Sequence, residues 1–290
     1  MKLDIISHCT IDTIEINNSK YVVPGGPGCY CSLTAKALKF DVKLHTKFGS
    51  DITLADYLTE QKIVFENAFS TEPTTQFILQ LADSERTLFL KNKCEVISNI
   101  ELDADNVIIS PLFDEIPLVL FEKITNDANF ILLDPQGFLR RTNSENKVYL
   151  EQTDLNLSGV SAIKVNSDEL KALTNSNGLD GIKILQKNGI DNVILTDKQN
   201  ITFLSGNKIY SITLPDIALN DTTGIGDIFS AAFCCTMLKE KDILWALSFA
   251  GGAAQAALES GQIGLEKIPS KSAIESNAYY FYNTIKFKEI

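Results

Sequence analysis

Six short apolar runs punctuate the chain: Leu3–Ile6, Val42–Leu44, Val107–Ile109, Asn129–Leu133, Ala162–Val165 and Val193–Leu195. Several show no alternation of polar and apolar positions, the pattern of strands covered on both faces. Between them lie segments with helical periodicity, near 28–39, 52–60, 116–126, 167–173, 178–188, 226–239, 242–259 and 271–287. This alternation predicts an α/β fold with a mainly parallel central sheet and helices on both faces. Two stretches break the pattern. Residues 12–23 and 74–91 each read as a hairpin, turning at Asn17-Asn18-Ser19 and at Ala82-Asp83-Ser84-Glu85. Together they predict a small β-sheet lid on a single domain spanning 1–290. Helix 242–259 is apolar nearly all round and reads as core, with Trp245 as packing.

Composition narrows the setting. The 290 residues are 44% apolar and 22% charged, enough to bury a large core. A net charge of −11 repels nucleic-acid backbones and anionic membranes, so neither is expected as a partner. The most apolar stretch, Ile228 to Leu238, falls short of the about 20 residues that span a bilayer. Asp4 precedes any long apolar run, which does not suit a secretory signal. Cys9, Cys29, Cys31, Cys94, Cys234 and Cys235 form neither a CxxC pair nor a disulfide framework. A cytoplasmic protein with reduced, buried thiols is expected.

Candidate chemistry concentrates at Asn220-Asp221-Thr222-Thr223-Gly224-Ile225-Gly226-Asp227, which runs straight into an apolar helix. Two glycines let the amides of 224–227 turn toward one point. The helix adds its unpaired N–H groups and the positive end of its dipole there, which suits a phosphate. Asp227, at the helix start, reads either as a capping acid or as a base that accepts the proton of an attacking hydroxyl. No Walker loop and no complete dinucleotide fingerprint is present.

The stretch Asp221–Asp227 closely resembles the DTxGAGD signature of the ribokinase-like (PfkB) carbohydrate kinases, with Ile225 in place of the usual Ala. The resemblance implies that Asp227 is the catalytic base and that the amides of Gly224, Ile225 and Gly226 form an anion hole. It also implies that Thr223, Gly224 and Gly226 meet the nucleotide, and that Asp221 helps hold a monovalent cation such as K+. Three further segments resemble the family in order. Ile5–Asp12 resembles its first strand, where an Asp contacts substrate hydroxyls, which points to Asp12. Pro24-Gly25-Gly26-Pro27-Gly28 resembles its first signature, with Gly25 and Gly26 against the substrate and Tyr30 where Asn is usual. Asn166 and Glu169 match its NxxE motif, implied to place Mg2+ and its waters; read alone, the pair is a helix cap with an acid in the first turn. The family's glycine-bearing turn near the nucleotide reads Thr196-Asp197-Lys198-Gln199-Asn200 here, without Gly, so Thr196 alone is carried over as a nucleotide contact.

Leu132–Arg141 adds a clue to the acceptor. Its DPQG turn places Gln136 and Arg140 near the carboxyl ends of the strands, where open α/β sheets bind ligands. Gln suits hydroxyls and Arg suits phosphate or carboxylate, although Arg140 also reads as a solvated loop cation. The segment resembles the D-x-Q-G-F-[IL]-R stretch of archaeal myo-inositol 3-kinases. These resemblances imply an ATP- and Mg2+-dependent transfer of phosphate to a hydroxyl of a sugar or cyclitol, a myo-inositol-like polyol first. A nucleoside kinase of the same fold is one alternative. A sugar or nucleotide sensor without turnover is another: Ile225 and the missing glycines at 197–200 favour it, and the intact Asp227, Asn166 and Glu169 argue against it. Gly251-Gly252 reads as a close approach to an adenine or to a neighbouring helix. An exposed lid sheet offers an edge through which two copies could pair as a homodimer.

Overall fold

Each of the six apolar runs becomes a strand of one sheet. The computed structural model describes residues 1–16, 19–82, 85–215 and 221–290. In chain order its strands are β1 (Lys2–Ile6), β2 (Thr10–Ile16), β3 (Ser19–Gly25), β4 (Asp41–His45), β5 (Thr75–Ala82), β6 (Glu85–Asn92), β7 (Asn106–Ile109), β8 (Phe130–Leu133), β9 (Arg140–Thr142), β10 (Val148–Leu150), β11 (Ala162–Asn166), β12 (Asn192–Asp197), β13 (Asn200–Ser205), β14 (Lys208–Thr213) and β15 (Lys286–Glu289). The helices are α1 (Pro27–Ala37), α2 (Ala55–Glu60), α3 (Leu118–Asp127), α4 (Gln136–Leu139), α5 (Ser167–Thr174), α6 (Gly178–Lys187), α7 (Ile225–Glu240), α8 (Ile243–Glu259) and α9 (Lys271–Thr284), with a 3-10 turn at Gly264–Lys267.

The central sheet runs β15-β14-β13-β12-β11-β8-β7-β1-β4. Every pair from β4 to β12 is parallel, and β13, β14 and β15 extend it as antiparallel strands. Side chains alternate across it. Ile108 and Leu132 point into a core shared with α1, α7, α8 and α9. Their neighbours Val107, Ile109, Ile131 and Leu133 point into a second core under α3, α5 and α6. Both faces are therefore covered, which is why these strands carry no polar alternation.

The predicted helix at 271–287 is shorter than expected. α9 ends at Thr284, and Ile285 takes an extended backbone. Lys286–Glu289 then pairs with β14 as an edge strand, setting Phe287 beside the Tyr210 ring at 6.3 Å. Two tyrosine contacts from α9 and one from Phe249 surround Trp245, so it packs as expected. Gly252 meets α9: a Cβ there would lie 2.7 Å from Ile274 O and 2.8 Å from Ala278 N. The close approach is to a neighbouring helix. All six cysteines are buried free thiols, and no helix among the described residues is long and apolar enough to cross a membrane.

The two stretches at 12–23 and 74–91 form a separate four-stranded sheet in the order β3-β2-β5-β6. Each hairpin is antiparallel, and β2 and β5 join them in parallel. Residues 17–18 and 83–84 of the expected turns lie outside the described residues. Across the other sheet's carboxyl edge, β8 leads to Asp134, β11 ends at Asn166, and the loop after β14 feeds α7.

Candidate active site

Gly224 ends the 221–224 loop with φ 78 and caps α7 in the left-handed region. A Cβ there would collide with the Tyr30 ring. Glycine thus lets α1 press its buried tyrosine against the loop. The N–H groups of Gly226 and Asp227 have no hydrogen-bond partner among the described residues. They are orphan donors of a helix start, ready for an anion. From α1, Cys31 Sγ approaches Asp227 O at 3.5 Å and fixes this turn from behind.

Asp227 is buried, and its carboxyl is pushed up to about 7. Burial is the main cause and Asp134 adds to it, while Lys164 and Arg140 pull the other way. Asp12 is pushed up to about 6, again by burial, while the neighbouring Thr10 hydroxyl and the charge of Arg86 pull the other way. A Cβ on Gly25 would strike Asp12 Oδ2, so only glycine lets this carboxylate lie down on the chain. Asp12 Oδ1, the Tyr30 hydroxyl and Thr223 Oγ1 are all buried without a partner. Such atoms are costly unless a ligand satisfies them.

Two cavities meet at this point. The first, of about 350 Å3, is lined by Asp12, Gly26, Tyr30, Gln136, Arg140, Glu169 and Asp227. Ile14, Phe77, Leu79 and Leu88 of the small sheet also line it. The second, of about 460 Å3, is lined by Thr196, Ile201, Leu214, Ile225, Phe229, Ala254 and Leu258. Arg86, Lys164, Asn166, Thr222 and Gly226 line both. Thr223 and Gly224 face the first cavity, and Gly25 lies just beneath Asp12. The bulk of Ile225 faces the second, apolar cavity.

Gln136 and Arg140 act as a unit. Arg140 Nη2 donates to Gln136 Oε1 at 2.5 Å and Nη1 to Leu112 O at 3.2 Å. Arg140 is therefore a held cation on the cavity wall. Thr196 sits at the second cavity and donates its hydroxyl to Val165 O at 3.3 Å. The glycine-free turn after it closes tightly on Lys198, at φ 52.

Asn166 and Glu169 form a reciprocal capping box at the start of α5. Asn166 Oδ1 accepts from Glu169 N at 2.9 Å, and Glu169 Oε2 accepts from Asn166 N at 2.8 Å. Burial pushes the Glu169 carboxyl up, and Lys164 opposes this. Glu169 Oε1 makes no hydrogen bond to a described residue. Among the described residues no cluster of three or more His, Cys, Asp or Glu could hold a metal ion. One available carboxylate oxygen still fits magnesium, which keeps most of its waters.

Asp221 lines neither cavity. Its carboxylate is taken by Thr223 N at 2.8 Å, Gly264 N at 3.3 Å and Lys267 Nζ at 2.5 Å. These contacts do not fit the monovalent cation that the motif implies for Asp221, because a lysine ammonium already occupies the oxygens.

Sequence reasoning missed Asp134, Lys164, Arg86 and Lys267. Lys164 Nζ lies 2.6 Å from Asp134 Oδ2, both side chains buried. Burial works against its charge, but Asp134, Glu169 and Asp227 hold its pKa above the ordinary value. A lysine inside the otherwise buried run Ala162–Val165 was the available signal, since such a strand rarely carries a charge without use. Arg86 had no such signal, because it stands among polar residues at the start of β6, whose sequence ERTLFLKN opens on three of them.

The pfkB family of carbohydrate kinases matches residues 12–270 of the sequence. No curated protein matches it. Similar solved structures include a pyrophosphate-dependent myo-inositol-1 kinase converted by mutation into a myo-inositol-3 kinase, at 23% identity and a TM-score of 0.80, covering 97% of this chain and 99% of that one. Ribokinase from Thermotoga maritima is 18% identical with a TM-score of 0.75, covering 96% of this chain and 99% of that one. A nucleoside kinase from Methanocaldococcus jannaschii is 17% identical with a TM-score of 0.72, covering 96% and 98%. At these identities the likeness is one of fold. The family match spans most of the sequence, the architecture agrees with it, and this chain therefore belongs to the pfkB family of carbohydrate kinases.

Proposed function

We propose that this kinase transfers a phosphoryl group from a nucleotide to a hydroxyl of a small polyhydroxylated acceptor, a myo-inositol-like polyol being the first candidate. One observation carries the reading: Asp227, buried and with its carboxyl pushed up to about 7, lines the first cavity next to Gly226, which lines both, beside the unpaired N–H groups of α7. A base poised near the working pH is what proton removal from a hydroxyl requires.

Acceptor hydroxyls would meet Asp12 Oδ1 and the Tyr30 hydroxyl, both lacking partners, with Gln136 and Arg140 beyond. The apolar second cavity would take the base of the donor, and Thr196 lies on its wall. Donor phosphates would then run along the shared wall, past Lys164 and Arg86, to the amides of Gly226 and Asp227. Asp227 accepts the proton of the attacking hydroxyl, and the amides and Lys164 receive charge on the moving phosphoryl. Magnesium, held through water by Glu169, would neutralise charge on the donor phosphates. The four-stranded sheet serves as a lid, its side chains Ile14, Phe77 and Leu79 excluding water that would otherwise hydrolyse the donor.

A second reading concerns the donor alone. Arg86 and Lys164 both line the phosphate side of the cavity, which supports inorganic pyrophosphate, a short and highly charged donor. A similar structure belongs to a kinase described as pyrophosphate-dependent. The test is product formation with ATP or pyrophosphate as donor and Mg2+, against myo-inositol, ribose, fructose, 2-keto-3-deoxygluconate and nucleosides. Phosphorylation of myo-inositol by the native protein, lost in Asp227→Ala, is expected. Faster turnover with adenosine or cytidine would replace the polyol by a nucleoside. An Asp227→Ala protein as fast as the native one would overturn the role of the base.

A further inference from the structure

Lys267 is almost wholly buried, at 1% exposure, beneath the loop that carries the anion hole. Its ammonium donates to three oxygens: Asp221 Oδ2 at 2.5 Å, Asp221 O at 3.1 Å and Thr223 O at 3.0 Å. A lysine ammonium has three donors, so all are used. One carboxylate oxygen and two peptide carbonyls converging on a point form a cage for a single positive charge. Here the chain fills that cage itself. Lys267 closes the 3-10 turn Gly264–Lys267, and Gly264 N binds the same carboxylate at 3.3 Å. The ammonium is thus tethered at both ends. A second cation would add like charge to a buried site whose oxygens are already used, which is strongly unfavourable.

The position has a consequence for the site. Across a trans peptide the C=O and the following N–H point in opposite directions. Carbonyls of Asp221 and Thr223 turn toward Lys267, so the N–H groups of Thr222 and Gly224 turn away from it. Both residues line the first cavity, and Lys267 does not. Lys267 therefore orients amides toward the place where phosphoryl charge would develop.

Resting on the kinase reading above, we infer that the Lys267 ammonium permanently replaces a monovalent cation behind the anion hole, and that the enzyme needs no potassium. Burial lowers the Lys267 pKa while Asp221 opposes that change. Burial likewise works against the Asp221 charge, yet Lys267 and Thr223 hold its carboxyl below the ordinary value. The geometry calls for the ammonium form, since all three contacts of the nitrogen are to acceptor oxygens and need three N–H donors.

The test compares the native full chain in tetramethylammonium chloride and in KCl at equal ionic strength, by turnover and by Tm. Turnover should differ by less than about fivefold, below the usual range of a coupled ligand. The native Tm should not respond to K+. In Lys267→Ala or Lys267→Met, kcat should fall about 10²-fold, as for loss of an oxyanion-site contact. KCl or NH4Cl should then restore part of it and raise the variant's Tm. Strong activation of the native enzyme by K+, or a folded variant that no monovalent cation rescues, would overturn the inference. If neither variant folds, the native salt comparison decides alone. If the native protein turns over no acceptor, the kinase reading fails separately. A native Tm raised by K+ then still overturns the built-in cation, and an unmoved Tm supports it.

Discussion

Burial and Asp134 together push the Asp227 carboxyl up to about 7, and this value fixes how the kinase should respond to pH. A base must be ionised to accept a proton, so kcat/KM should fall about tenfold for each pH unit below 7 and level off above it. A pH–rate profile flat from 5 to 9 would exclude that role. Stability should move in the opposite direction. The folded-state value lies above the 3.8 of a free Asp, so the folded protein holds this proton more tightly. Its stabilising share is complete below pH 3.8 and is lost as the pH rises through 7, at a cost of up to about 4 kcal/mol. Asp12 behaves likewise, losing its share as the pH rises through 6. Asp227→Asn should therefore raise Tm at pH 8 but not at pH 4, while lowering kcat by about 10²–10⁴. Calorimetry at the two pH values checks the first part, and a lower Tm at pH 8 would contradict it. The candidate base was legible in the sequence because a glycine loop entering a helix is a local device. Its pKa was not, because Asp134 and Lys164 come from other strands.

Helix starts and helix contacts carry the next set of consequences. The Asn166–Glu169 box joins β11 to α5 and also lines both cavities through Asn166. Asn166→Ala removes the cap and should cost about 1 kcal/mol, read as a lower midpoint in urea. Asn166→Asp keeps the cap and should stay near native stability. If Glu169 serves only the cap, turnover in Asn166→Ala would stay at the native rate; a fall in kcat beyond the stability loss is expected instead. Between α8 and α9, Gly252 allows backbone contact, and a Cβ would sit 2.7 Å from Ile274 O. Gly252→Ala should cost about 1–3 kcal/mol as overpacking, despite the better helix propensity of Ala. A Tm equal to or above the native one would show that the helices separate without strain. The parallel strands were readable because burial on both faces leaves an unbroken apolar run. β13, β14 and β15 were not, since antiparallel edge strands such as Lys286–Glu289 mix charge with apolar residues and continue a helical pattern by chance.

At the scale of the whole molecule, the four-stranded sheet brings Arg86 to a cavity whose other walls come from the central sheet and its loops. Arg86 and Arg140 both line the first cavity. Two like charges on one cavity suit an anionic ligand, so Arg86→Ala should lower kcat about 10–100-fold. If the four-stranded sheet excludes water as proposed, the same variant should release more donor phosphate per acceptor phosphorylated. Measuring the ratio of free phosphate to phosphorylated acceptor decides this; an unchanged ratio with unchanged kcat would place Arg86 outside the reaction. Acceptor binding should also slow amide exchange in the lid strands β2 and β5.

The sequence by itself determined the layered α/β architecture, the kinase family, and a set of polar and glycine residues, Asp12, Gly26 and Asp227 among them, that line the two cavities. Those features reside in short windows: an unbroken apolar run, a hairpin, two glycines ahead of a helix. Only the tertiary structure decided what surrounds them. It put Lys267 on Asp221, 46 residues away, and Lys164 on Asp134, 30 residues away. It set Gly251 against Ile212 of β14 and Gly252 against the backbone of α9. Charges separated along the chain interact only after the sheet order is set, and no local periodicity records which strand ends up beside which.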